Sequence, residues 1–156
     1  MTPEESSFPA GNVNTVSRLI RRHLRIGWWS LFFFATAGIV LEALHGLKLG
    51  YYLDVGNETR RLMFTLAHAH GTLLSLVHIA FAASLGFVTA GERHLIRCSR
   101  LFILAGLLLP AGFLVGGLVI YRGDPNLGIL LVPIGAVCLL WAIAITARSV
   151  SRSTVG

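Results

Sequence analysis

The hydrophobic positions of this chain fall into four long runs separated by short polar segments. An apolar run of about 20 residues is long enough to cross a bilayer as a helix. Buried helices of a soluble protein would carry polar stripes, which these runs mostly lack. The pattern therefore predicts an all-α polytopic membrane protein, a bundle of four transmembrane helices over residues 26–45, 62–90, 101–121 and 127–147.

The segments outside these runs are short. Residues 1–25 and 148–156 are predicted to be cytoplasmic tails, residues 91–100 a basic turn, and residues 121–126 a tight turn. Within the first tail, apolar side chains recur at helical spacing opposite a face of arginines, at Val13, Val16, Ile20 and Leu24. This spacing predicts either a basic amphipathic helix on an anionic leaflet or a helical extension of the first span.

Composition and charge support a membrane location. The chain is 54% hydrophobic and 13% charged, whereas soluble domains have nearer ~25% charged residues. Nine basic residues lie on the side of the predicted tails and four on the other side, so the positive-inside rule places both termini in the cytoplasm, and we expect a bacterial inner membrane. The net charge of +6 thus reflects topology and lipid contact rather than a nucleic-acid partner.

Ionisable residues inside the predicted spans are the candidate functional groups. The second span carries His68, His70 and His78, and the first ends with Glu42 and His45 on one helical face. Imidazoles in hydrocarbon pair with another group, line water or bind a ligand. Antiparallel spans joined by a short loop normally pack together. We therefore expect Glu42 and His45 to meet His68 or His70 in the outer third of the bilayer.

The spacing of His68 and His70 restricts what they can bind. Two residues at ~100° each place the imidazoles on nearly opposite sides of a helix. This argues against a zinc-type pair, which needs histidines at i and i+4. A haem between helices fits better, because it takes one imidazole from each side and Gly71 leaves room for the ring.

The run Ala67-His68-Ala69-His70-Gly71 resembles the transmembrane His-x-His helix of the haem-copper oxidase subunit I-like superfamily and related small haem membrane proteins. In that family the two imidazoles point toward two different haems. The resemblance covers residues 67–74 and implies that His68 and His70 are haem ligands, with His45 or His78 as the partner. The chain has four predicted spans where the family has twelve or more, and it lacks the family's three-histidine copper site.

These observations predict a small membrane protein that binds a b-type haem, or alternatively copper or iron, in electron transfer or as an oxidoreductase module. A metal ion would be held by His68, His70 and His45. Glu42 is the expected acceptor that fixes an imidazole tautomer. Three basic residues on the outer side are candidates for contact with haem propionates or lipid phosphates, namely Arg60, Arg61 and Arg122.

Three other interpretations remain open. Glu42-x-x-His45 matches one element of di-iron bundles. The intramembrane histidines can also form a proton or ion relay, as in proton-coupled transport without a cofactor. Alternatively, the chain is an accessory subunit without a cofactor in a homo-oligomer or larger membrane complex, in which the histidines and the Gly112/Gly116 face bind partner helices.

Overall fold

Four long helices form the body of the protein, and the predicted all-α four-helix bundle is confirmed. The structure, a computed structural model, describes residues 10–53, 58–88 and 90–153. Four of its helices are long and apolar enough to cross a membrane, so the chain is an integral membrane protein. The α-helices are α1 (Ala10–Gly46), α2 (Gly50–Leu53), α3 (Glu58–Ser84), α4 (Glu92–Leu118) and α5 (Leu131–Ser153), with 3₁₀ turns at Leu85–Phe87 and Leu127–Leu130.

Neighbours in sequence are neighbours in space. Helix α1 packs along α3, α3 along α4, and α4 along α5, while α1 touches α4 less extensively. Short connections between antiparallel helices favour this arrangement. The predicted packing of the first span against the second is confirmed, and α3 lies between α1 and α4.

Residues 13–25 continue the first span as one unbroken helix, so the structure contains the helical extension. Its buried face is formed by Thr15, Leu19, His23 and Gly27, which are spaced four residues apart. Leu19 joins the hydrophobic core at this end of the bundle. Thr15 Oγ1 donates a hydrogen bond to Glu92 Oε1 at 2.8 Å. The segment therefore packs against the bundle through this stripe, and two of the predicted apolar positions, Val16 and Ile20, are partly buried against the same core.

The turn predicted at residues 91–100 is wrong beyond its first residue, because α4 begins at Glu92. Glu92 lies in the first helical turn, where a carboxylate interacts favourably with the helix dipole. Leu95, Cys98 and Ser99 are buried at helical spacing. Packing of this face outweighs the charge of the surrounding arginines, which point away from it.

The predicted tight turn between the last two spans is confirmed as a small β-hairpin. Ile120–Tyr121 (β1) pairs with Asp124–Pro125 (β2) in antiparallel register. Arg122 and Gly123 have φ angles of 53° and 90°, as the primed turns of two-residue hairpins require. The Gly112/Gly116 face of α4 packs against another helix of the same chain, because Gly112 contacts Val132 of α5.

Candidate functional site

His68 and His70 face different helices, as their spacing predicts. The Nδ1 atom of His68 lies 2.8 Å from the backbone oxygen of Phe34 in α1. The His68 ring is seated on Gly38, where an added Cβ would come within 2.8 Å of Nε2. His70 instead packs on Phe113 of α4, with ring centroids 4.8 Å apart.

Both imidazoles have their tautomer fixed by a backbone carbonyl. His70 Nδ1 lies 2.9 Å from the oxygen of Leu66, one turn earlier in α3. A carbonyl oxygen only accepts, so Nδ1 of His68 and Nδ1 of His70 carry the protons. In the neutral imidazole each Nε2 atom then has a lone pair, which is the state that ligates a metal. The acceptor expected of Glu42 is supplied at His68 by the Phe34 carbonyl.

His68 lines an apolar pocket of about 450 Å³. This volume lies within the range of ligand pockets, about 300–1,000 Å³. The walls come from α1, α3 and α4 and include Phe32, Phe33, Phe64 and Leu114. Among the lining residues, His68 is the one that offers a nitrogen.

Glu42 and His45 do not meet His68 or His70. Both are exposed, and His45 lies seven residues, or about 10 Å, beyond the Gly38 level of α1. Its ring packs against Tyr52 with centroids 6.4 Å apart. His45 and Tyr52 border a separate polar pocket of about 590 Å³, together with Glu58, Thr59, Arg61, Leu62 and Thr65.

The three arginines predicted to lie on the outer side differ in their surroundings. Arg61 Nη2 lies 3.8 Å from Glu58 Oε1, and the Arg122 guanidinium lies 5.3 Å from the centre of the Tyr121 ring. Arg60 is partly buried on α3. Arg61 precedes His68 by seven residues, which puts both on one face of α3 about 10 Å apart.

A buried polar cluster joins α1, α3 and α4 at the level of His78. The Nδ1 atoms of His23 and His78 lie 2.8 Å apart. His23 Nε2 lies 2.8 Å from Ser99 Oγ. The exposed fractions of His23, His78 and Ser99 are 0%, 4% and 1%. The edge of the His23 ring also contacts Phe81, with centroids 4.8 Å apart.

The other nitrogen of His78 lies at a second cavity. An added Cβ at Gly106 would come within 2.8 Å of His78 Nε2, so the imidazole needs the glycine. The cavity has a volume of about 440 Å³ and is lined by residues of α1, α3 and α4, including Ser30 and Ser75. Ser75 Oγ lies 2.8 Å from Ser30 Oγ.

His23 and Ser99 are the polar residues of this cluster that the sequence analysis did not identify. Four neighbouring arginines suggested a segment facing lipid headgroups. The row Thr15, Leu19, His23 and Gly27 is a small or apolar stripe at four-residue spacing, broken by one imidazole. Such a stripe indicates a packed helical face with a polar partner. It is the sequence feature from which His23 could have been identified.

Within the parts of the chain that the structure describes, no three His, Cys, Asp or Glu side chains lie close enough together to hold a metal ion. His68, His70 and His45 face α1, α4 and the outer polar pocket, respectively. Comparisons of the chain with protein-family models, curated proteins and solved structures give no match.

Proposed function

We propose that this integral membrane protein binds a b-type haem through His68 and acts in electron transfer. The observation that carries the proposal is the 2.8 Å contact between His68 Nδ1 and the Phe34 carbonyl. This contact leaves the Nε2 lone pair free to bind iron. The adjacent pocket of about 450 Å³ is apolar, as a haem macrocycle requires.

The residues around His68 fit such a group in two further respects. Gly38 lies against the imidazole, and a side chain there would displace the ring. Arg61, on the same face of α3 nearer its start, is the cation best placed to pair with a propionate. The fit to one copper or iron ion shared by several histidines is poorer, because His68 and His70 face opposite helices.

Haem supplies one-electron redox chemistry when bound, and the chain supplies the ligand and its environment. His68 would hold the iron through Nε2. The Phe34 carbonyl orients the imidazole and, by accepting its Nδ1–H, makes Nε2 a stronger ligand. The apolar walls exclude water. His70 has the same tautomer but packs on Phe113 of α4, so it would serve a separate site rather than the same iron.

The haem content of purified protein tests this proposal. We expect about one haem per chain in the wild type, and loss of that haem in His68→Ala because the nitrogen ligand is removed. His94→Ala is the matched control, since His94 is an exposed histidine in the first turns of α4. Wild-type haem content in His68→Ala would overturn the proposal. A haem-free wild type, expressed where other haem proteins are fully loaded, would also overturn it.

We also propose that both termini face the cytoplasm across a bacterial inner membrane. The support is the distribution of nine basic residues on one side and four on the other. In intact cells, a membrane-impermeant maleimide should label Asp124→Cys in the β-hairpin but not Ser151→Cys near the end of α5. Both should react after lysis. Labelling of Ser151→Cys alone in intact cells would reverse the assigned orientation.

A further inference from the structure

We propose that the cavity at His78 binds the ring of a membrane-soluble quinone and of its quinol. The site is distinct from the proposed haem site, because its nitrogen belongs to a different histidine and its floor is formed by Gly71, Leu74, Ser75 and His78. The proposal does not depend on haem binding. The two cavities share only Phe33, Phe34 and Leu114 among their lining residues.

The volume and lining of the cavity suit a ring with an apolar tail. Its volume of about 440 Å³ lies between α1 and α4, with α3 as the floor. Phe33 and Phe34 form one wall. Leu107 and Leu114 border the cavity on α4 and are themselves exposed, so the opening is toward the lipid-facing side of the bundle. A ligand dissolved in the bilayer can therefore enter without crossing water.

Beside the hydrogen-bonded hydroxyls of Ser30 and Ser75, His78 is a polar residue of this mostly apolar lining. His78 Nε2 has no hydrogen-bond partner among the residues described, while its Nδ1 atom is held by His23. Gly106 also lines the cavity, and its carbonyl lacks the usual i+4 helical donor because residue 110 is a proline. A ligand oxygen beside His78 would supply the missing partner.

The His23–His78–Ser99 cluster can present either a donor or an acceptor to the ligand. In one arrangement Ser99 donates to His23 Nε2 and His23 Nδ1–H donates to His78, so the remaining proton of His78 is on Nε2. In the other, His78 Nδ1–H donates to His23 and His23 Nε2–H donates to Ser99, which leaves a lone pair on His78 Nε2. Both arrangements keep both imidazoles neutral.

Because His78 Nε2 can either donate or accept a hydrogen bond, it fits a ligand whose oxygen does the same. A quinone oxygen is a carbonyl that accepts a hydrogen bond, and the corresponding quinol oxygen is a hydroxyl that donates one. A sterol or a fatty alcohol keeps its hydroxyl and does not require the reversal. Among apolar molecules that dissolve in a bilayer, quinones are the class whose oxygen changes in the way that His78 Nε2 can follow.

Infrared spectroscopy of the protein in lipid nanodiscs tests the proposal, with ubiquinone-1 carrying ¹³C at one or the other ring carbonyl as the probe. We expect saturable binding and a shift of one carbonyl band to lower frequency, caused by the hydrogen bond from His78 Nε2. In His78→Ala the shift should disappear and the affinity should fall about tenfold, as loss of one buried hydrogen bond implies.

A second variant guards against misfolding of His78→Ala. Gly106→Ala retains both histidines but places a methyl group within 2.8 Å of the position of His78 Nε2, so the imidazole must shift and the shifted band should also be abolished. His94→Ala should match the wild type. Absence of saturable binding in the wild type, or a shifted band that persists in both His78→Ala and Gly106→Ala, would overturn the proposal.

Discussion

The Nδ1 atoms of His23 and His78 lie 2.8 Å apart and link α1 to α3 inside the bundle. One of the two atoms must donate and the other accept, so at least one imidazole is unprotonated at Nδ1. Ser99 extends the link to α4. Since apolar helix faces pack almost equally well in several registers, this polar contact specifies the level at which the three helices meet.

Removing the central ring of this cluster should destabilise the protein. His23→Ala leaves His78 Nδ1 and Ser99 Oγ buried without a partner, and we expect a loss of about 1–3 kcal/mol in the free energy of unfolding. Denaturant titration in mixed micelles measures this loss. His94→Ala, at an exposed position, should stay within about 0.5 kcal/mol of the wild type. Equal stability of the two variants would contradict the structural role of His23.

A double-mutant cycle separates the hydrogen bond from general packing. His23→Ala and Ser99→Ala should be less than additive, with a coupling energy of about 0.5–2 kcal/mol, because each removes the same 2.8 Å contact. The same titration provides the four free energies of unfolding. Strict additivity would mean that the contact contributes nothing to stability.

Gly71 allows α1 and α3 to approach, since an added Cβ would overlap the Phe34 ring. Gly71→Ala should cost about 1–3 kcal/mol in the free energy of unfolding, the usual cost of overpacking. Gly86→Ala is the control, because a Cβ there meets nothing within 4 Å. A neutral Gly71→Ala together with an unchanged Gly86→Ala would show that the helices separate at little cost.

Gly38 positions the proposed ligand His68. A methyl group at residue 38 must displace the imidazole, so Gly38→Ala should lower haem affinity by about 10–100-fold, as loss of ligand support does at other sites. Haem titration followed by absorbance measures the affinity. Gly46→Ala, also in α1 but with open space around it, should bind haem like the wild type. Unchanged affinity in Gly38→Ala would argue against His68 as the ligand.

Asn126 connects the end of α4 to the start of the following 3₁₀ turn. Its Nδ2 atom donates to the Val115 carbonyl at 2.7 Å, and its Oδ1 atom accepts from Gly128 N at 2.7 Å. Asn126→Ala should therefore cost about 1–2 kcal/mol in the free energy of unfolding, a typical loss for a cap. Asn14→Ala, at an exposed position in the first helix, should be nearly neutral. A scan of thermal unfolding compares the two.

The spans could be predicted from sequence because length and hydropathy fix them directly. It was also predictable that His68 and His70 lie on opposite sides of α3, since this follows from helical geometry alone. The start of α4 at Glu92 was not, because local charge favoured a turn while burial of Leu95 and Cys98 determines the helix. Which residues of a helix are buried depends on the helices that pack against it, and the local sequence does not show those contacts.

Whether Glu42 contacts His68 could not be predicted from their depth in the bilayer alone. The predicted spans put both at a similar depth in the bilayer, but the axial register of α1 against α3 brings Gly38, not Glu42, to the level of His68. His23 was missed for a similar reason. Its partners, His78 and Ser99, lie 55 and 76 residues away in the sequence.

The reduced-minus-oxidised absorption spectrum of the wild-type protein in lipid nanodiscs tests the central claim most directly. The account predicts a Soret band that shifts on addition of dithionite, with sharp α and β bands in the reduced state, at a stoichiometry of about one haem per chain. A flat difference spectrum from protein expressed with ample haem would contradict it.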